Sequence, residues 1–235
     1  MEIEKVPRHI GIVLDGNRRF SKKLMLKPWM GHEFGAKKLE KLIEWCVEYR
    51  IKELTLYTLS VQNFFSRPRE ELNYLLNLFK NETKKLKDDE RLIKHKIKVN
   101  FIGRLNLFDN EMQGLMKEVM NKTKDNDNLI MNLAMAYGGQ EEIIDAVRKI
   151  AEQVRDNKLD VDKINEGVFE NNLYMKSSPE LVIRTGGERR TSNFLNYQAA
   201  YSEWIFLEKL WPEFEKEDFV ECLQEYSNRE RRFGR

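Results

Sequence analysis

The chain is short of several things that mark particular protein classes. It has two cysteines in 235 residues, Cys46 and Cys222. That is too few for a disulfide framework, and each falls in a helical pattern where it reads as a small buried hydrophobe. Its three histidines, His9, His32 and His95, show no metal-ligand spacing with one another or with the cysteines. No run approaches the roughly 18 consecutive apolar residues of a membrane span. The first apolar run is brief and stops at Asp15, so no secretory leader is read. Five prolines and 12 glycines are scattered, and no linker, repeat or low-complexity tract divides the chain. An excess of charge of one sign is also missing. Lys and Arg number 41 against 39 Asp and Glu, a net +2 that speaks against general nucleic-acid binding. What remains, 41 % hydrophobic and 34 % charged, is the balance of a globular chain. A single domain over residues 1–235 in a reducing, cytoplasmic setting is expected.

Strand-like and helix-like segments alternate. Residues 8–14, 53–59, 97–102, 129–136, 181–184 and 204–207 read as strands. Residues 33–50 place Leu39, Leu42, Ile43, Cys46 and Val47 on one helical face, and Leu72, Leu75, Leu76 and Phe79 do the same in a long helix after Pro68. Asp109 or Asn110 caps the helix after the third strand. Gly138-Gly139 opens another, residues 192–202 read as helical, and a last amphipathic helix covers about 215–230. The alternation predicts an α/β fold: a mostly parallel central sheet of about six strands with helices on both faces. Ligands in such folds lie beyond the carboxyl ends of the strands.

Three loops at those ends carry the chemistry. After the first strand comes Asp15-Gly16-Asn17-Arg18-Arg19. Gly16 permits a sharp turn and close approach of a ligand, and two guanidinium groups suit phosphate. Asp15 is either a helix cap or the anchor of a divalent cation bridging to phosphate oxygens. After the second strand, the stretch from Ser60 to Pro68 offers hydroxyl, amide and guanidinium groups beside Phe64 and Phe65, which suits a substrate with polar and apolar parts. After the fifth, residues 184–193 hold three arginines, three hydroxyls and a Gly-Gly turn, a second anion cradle. Glu203 is a further acid that faces the same metal or is simply a surface charge. Two cradles with acids between them suggest two phosphorylated substrates and Mg²⁺. Nucleotide signatures are absent: the segment from Gly31 to Lys38 lacks phosphate-loop spacing, and there is no G-x-G-x-x-G.

The segments HIGIVLDGNRR, GHEFGAKKL, LTLYTLSVQNF, NLAMAYGGQEEI and VIRTGGERRTSNFLNYQAAYSEW occur in the order seen in cis-prenyltransferases. The chain resembles the undecaprenyl-diphosphate-synthase type, and its Arg18-Arg19 pair is similar to archaeal and eukaryotic members. The resemblance implies repeated addition of isopentenyl diphosphate to an allylic prenyl diphosphate, with Mg²⁺ as cofactor. It also implies an apolar tunnel for the growing chain, a homodimer, and peripheral membrane contact through the product. By the same resemblance Asp15 positions Mg²⁺, with Glu203 as a second metal contact. Gly16, Asn17, Arg18 and Arg19 cradle the allylic diphosphate with His32 nearby, and Phe20 and Phe64 flank its chain. Ser60, Val61, Gln62 and Asn63 form the segment linked to proton removal and closure, and Arg67 contacts diphosphate. Arg184, Arg190, Thr191 and Ser192 form the isopentenyl diphosphate site. Leu76, Phe79, Phe101, Leu129 and Met131 are candidate tunnel residues, with Leu129 as floor. The basic segment 229–235 is either simply solvated or meets lipid headgroups, a partner subunit or a neighbouring protomer's diphosphate.

Three departures stand out. Arg18 occupies a position that is Gly in many relatives, and Pro28 one that is often Arg. Gln62 stands where Glu is common, with one extra residue before Arg67. The alternative is a non-catalytic partner subunit, which should have lost Asp15 or the second cradle; both are present. Replacing Asp15 by Ala is expected to abolish turnover while the circular dichroism spectrum stays unchanged. An active Asp15→Ala variant would remove this residue from the reaction.

Overall fold

The computed structural model describes residues 3–229. Its strands are β1 (His9–Val13), β2 (Glu53–Ser60), β3 (Ile97–Ile102), β4 (Leu129–Tyr137), β5 (Leu181–Arg184) and β6 (Glu203–Phe206). They form one six-stranded sheet in the order β3-β4-β2-β1-β5-β6. Every pairing is parallel. All five residues of β1 are buried, as expected of a parallel strand covered on both faces. The chain winds one way from β1 to β2 and the other way from β5 to β6. The order therefore reverses around β1, and the loops after β1, β2 and β5 meet at that reversal, where open α/β sheets bind ligands.

The connecting helices are α1 (Asn17–Lys23), α2 (Gly31–Glu48), α3 (Val61–Ser66), α4 (Arg69–Lys87), α5 (Glu90–Lys94), α6 (Asn110–Thr123), α7 (Gly139–Arg155), α8 (Glu166–Glu170) and α9 (Lys216–Asn228). Alternation along the strands divides the core. Ile10, Ile12, Leu54 and Leu56 point to one face, where they meet Leu42 and Cys46 of α2, Met116 and Val119 of α6, and Phe219 and Leu223 of α9. Val13, Ala134, Tyr137 and Val182 point to the other, against Met175, Phe194, Leu195 and Ala199. Both cysteines are buried, and burial pushes the Cys222 thiol up to about 12, so both act as packing residues. Asp109, not Asn110, caps α6, accepting from the Met112 amide at 2.7 Å.

Two readings change. Residues 192–202 are a chain of turns instead of a helix. Ser192, Asn193 and Leu195 take φ of +50°, +65° and +51°, which no right-handed helix accommodates. The stretch after β2 contains the short helix α3, whose amino end is capped by the Ser60 hydroxyl accepting from the Asn63 amide at 3.0 Å. The last basic residues, 230–235, lie outside the described residues.

The segment beginning at Gly31 is a packing device. A Cβ on Gly31 would stand 1.9 Å from the Asn17 carbonyl oxygen, and one on Gly35 would stand 2.3 Å from Asn17 Oδ1. These two glycines, one turn apart on α2, let the first turn of α1 sit against the helix. Gly31→Ala is expected to cost about 1–3 kcal/mol through overpacking, read as a lowered midpoint in thermal unfolding. A wild-type midpoint would show that α1 has room to shift.

Candidate active site

The loop after β1 is fixed by backbone. The Asp15 carbonyl accepts from the Trp211 amide at 2.9 Å and from Thr185 Oγ1 at 2.8 Å. Gly16 takes φ +112°, and a Cβ there would lie 2.8 Å from Leu210 Cα, so only glycine fits. The Asp15 carboxylate then accepts from Arg19 Nη2 at 3.2 Å on one oxygen and from Arg184 Nη2 at 3.0 Å on the other. Arg184 closes β5 with its side chain 4 % exposed, and it donates also to Ser192 Oγ at 2.7 Å and to the Arg190 carbonyl. The two cradles read from the sequence are thus one site, joined at Asp15.

A second cluster lies on the side of α2 and α4. Arg67 pairs with Glu71, one helical turn on, and Arg18 Nε lies 3.6 Å from the same carboxylate. Glu71 is buried, with its side chain 2 % exposed. His32 lies in the first turn of α2, and its Nε2 is buried with no hydrogen-bond partner among the described residues. Burial, then the neighbouring Arg67 and Arg18 charges, hold the imidazole neutral, with its pKa down to about 3. Neutral His32 beside two arginines leaves the pocket's positive charge to groups that cannot lose a proton.

A cavity of about 1000 Å³ connects these groups. Asp15, Gly16, Asn17, Arg18, Arg19, His32, Ser60, Gln62, Asn63, Arg67, Arg184, Arg190 and Ser192 all line it. An apolar wall continues from them, built of Leu39 and Ile43 of α2, Phe79 and Leu86 of α4, Phe101 of β3, and Met131, Leu133 and Met135 of β4. Five of the expected substrate and metal contacts do not line it. Phe20 stands edge-on to Phe34 at 5.3 Å, and Phe64 packs on Phe65 and Phe108. Val61 is buried, and Thr191 faces solvent. The fifth, Glu203, is not brought to Asp15: it opens β6 level with Leu181, while Arg184 is level with Phe206. Parallel pairing puts it on the order of 10 Å down the sheet from Arg184. There it pairs with Arg229. Leu129 is fully buried and, like Leu76, does not line the cavity; Phe79, Phe101 and Met131 do. Glu71 was missed, although an acid four residues after Arg67 at a helix start is a visible i,i+4 signal.

Among the described residues no three His, Cys, Asp or Glu side chains converge on a metal-sized site. Asp15 is the acid at the junction, one carboxylate beside two cation clusters. Among the described residues no helix is long and apolar enough to cross a membrane.

Comparison with known proteins agrees with this geometry. The prenyltransferase family model described as undecaprenyl diphosphate synthase matches residues 13–234. The chain belongs to that family. Its relatives include the tritrans,polycis-undecaprenyl-diphosphate synthase (geranylgeranyl-diphosphate specific) of Methanopyrus kandleri, 46 % identical, with 98 % of this chain and 86 % of the relative covered. The isoprenyl transferase of Thermus thermophilus is 42 % identical over 98 % of this chain and 89 % of its own length. Among solved structures, lavandulyl diphosphate synthase from Lavandula x intermedia superposes with a TM-score of 0.92 at 33 % identity, covering 98 % of this chain and 99 % of that one. The fold is the prenyltransferase fold, and the chain is a cis-prenyltransferase.

His32 gives this cis-prenyltransferase a defined pH response. The unfolded chain takes up a proton on the imidazole near 6.5, and the folded chain only near 3. The stability due to neutral His32 is therefore fully present above pH 6.5 and is lost as pH falls toward 3, by up to about 1.4 kcal/mol per pH unit. His32→Gln should flatten the pH dependence of urea unfolding between pH 6 and 4. An unchanged slope would contradict the buried neutral imidazole.

Proposed function

We propose that the enzyme condenses isopentenyl diphosphate repeatedly with an allylic prenyl diphosphate, each new double bond being cis, and releases a long polyprenyl diphosphate of the kind that carries glycans. The observation that carries this reading is the Asp15 carboxylate, bonded to one arginine from each cradle at the mouth of a cavity with an apolar wall. Two diphosphates have cations to receive them, and an isoprenoid chain has somewhere to go. The Methanopyrus relative is named for geranylgeranyl diphosphate, which makes that starter the first choice here.

In this reading Arg18, Arg19, Arg67 and neutral His32 hold the allylic diphosphate, and Arg184, Arg190 and Ser192 hold isopentenyl diphosphate. Mg²⁺ suits a single carboxylate beside diphosphate oxygens, because it is usually bound through one or two carboxylates and substrate phosphates. Asp15 would hold it, and the ion would supply charge neutralisation for the leaving diphosphate. The arginines stabilise the same developing charge from fixed positions. Holding the allylic C1 against the double bond of isopentenyl diphosphate supplies much of the rate. A proton leaves the adjacent carbon toward a diphosphate oxygen; the Asn63 amide, a poor base, orients rather than accepts. The growing chain lies along a tunnel between α2, α4 and β4, with Phe79, Phe101, Met131 and Leu133 against it. A homodimer with peripheral membrane contact fits a strongly apolar product. The partner-subunit alternative is not favoured, because Asp15 and both cradles are in place.

The test is incorporation of radiolabelled isopentenyl diphosphate with Mg²⁺ and dimethylallyl, geranyl, farnesyl or geranylgeranyl diphosphate in turn, with products resolved by length. Long products, most from geranylgeranyl diphosphate, are expected. Folded protein that incorporates nothing with any starter would overturn the proposal, and a single condensation product would overturn the elongation step.

A further inference from the structure

Glu141, in the first turn of α7, has no place in the mechanism above, yet it touches two of the loops that mechanism uses. Its Oε1 accepts from Gln62 Nε2 at 3.1 Å, and its Oε2 accepts from Asn193 Nδ2 at 2.8 Å. Gln62 is the immediate neighbour of Asn63, which lines the cavity in α3. Asn193 is the immediate neighbour of Ser192, whose hydroxyl accepts from Arg184.

The surrounding backbone is shaped for this contact. The Asn193 carbonyl accepts from the Gly139 amide at 2.8 Å, and Asn193 Oδ1 accepts from the Gln140 amide at 2.8 Å. The amino end of α7 is therefore capped by the loop after β5 and offers no free anion site. Gly138 has φ −160°, an extended conformation open to any residue, so its backbone does not demand glycine. A Cβ there would stand 2.1 Å from Glu141 Oε2 and 2.7 Å from Asn193 Nδ2, so a side chain at this position would push the two partners' ends aside. On the same side Tyr57 donates within reach of the Ser192 carbonyl, at 3.2 Å.

Resting on the functional reading above, we propose that Glu141 is a positioning residue that latches the α3 segment to the loop after β5, so that the groups holding the two substrates keep a fixed spacing. The latch also accounts for Gln62. An amide there donates to Glu141, whereas a carboxylate there would face a carboxylate. Exchanging the two groups restores the bonding. With Gln62→Glu and Glu141→Gln together, the new amide at 141 accepts from Asn193 and donates to the acid at 62.

The test compares Gln62→Glu with the double exchange, in full-length protein checked for folding by circular dichroism. Hydrogen exchange of the amides in 61–66 and 191–196 is read first, because it needs no turnover. Gln62→Glu is expected to speed exchange in both segments by about fivefold, the equivalent of one modest hydrogen bond, and the double exchange to return both toward wild type. In the assay, Gln62→Glu should raise KM for isopentenyl diphosphate more than it lowers kcat, with recovery in the double variant. Faster exchange confined to 61–66, or a double variant no better than the single, would overturn the latch. Wild-type protein that transfers no prenyl group but shows the coupled exchange would overturn the functional reading and leave the latch standing.

Discussion

The site depends on one carboxylate shared between two guanidinium groups. Asp15 accepts from Arg19 of its own segment and from Arg184, which arrives from β5. Arg184 is nearly fully buried, and a buried cation is tolerated only when its protons are paired. Asp15, Ser192 and the Arg190 carbonyl pair its two terminal nitrogens, while its Nε finds no partner among the described residues, and these bonds tie the loop after β1 to the loop after β5. The backbone is shaped to permit it. Gly186 sits at φ +91°, and a Cβ there would lie 2.6 Å from Arg19 Nη2. Gly16 faces Leu210 with as little room.

From that junction follows a pocket whose cations are already held in place. Arg67 and Arg18 lean on buried Glu71, Arg190 pairs with Glu188, and Arg19 and Arg184 share Asp15. Glu71 is buried beneath its two arginines, whereas the Arg190–Glu188 pair is open to solvent and orders its side chains less. In the proposed reaction a diphosphate would meet donors already gathered on one cavity, which favours stabilising charge as it develops on a leaving group. In the same proposal the apolar wall of the cavity would give the other half of an isoprenoid substrate its surface.

Much of this was legible because the chemistry lies in short segments directly after strands. Asp15, Gly16, Arg18 and Arg19 needed only a strand end and a glycine to be recognised, and the third loop was as plain. The parallel sheet followed from alternation, and its six strands fell within a residue or two of their expected limits. What was not legible depended on distance across the fold. Residues 192–202 carry helix-compatible side chains, but Asn193 is drawn into a left-handed conformation by its bonds to the start of α7. Glu203 lies close in sequence to the cradle and far from it in space, because a parallel strand must begin at the other end of the sheet. Glu71 shows its spacing to Arg67 within one segment, but its contact with Arg18, like those of Glu141 with Gln62 and Asn193, crosses between elements that no single segment displays.

In the proposed reaction both substrates meet at Asp15. That meeting is tested most directly by a crystal structure of the enzyme with Mg²⁺, isopentenyl diphosphate and an allylic thiodiphosphate that cannot react. One diphosphate is expected on Arg18, Arg19, Arg67 and His32, the other on Arg184, Arg190 and Ser192, the apolar chain along Phe79, Phe101 and Met131, and the metal on Asp15. Diphosphates bound away from the Asp15 junction, or a chain lying outside the cavity, would contradict it.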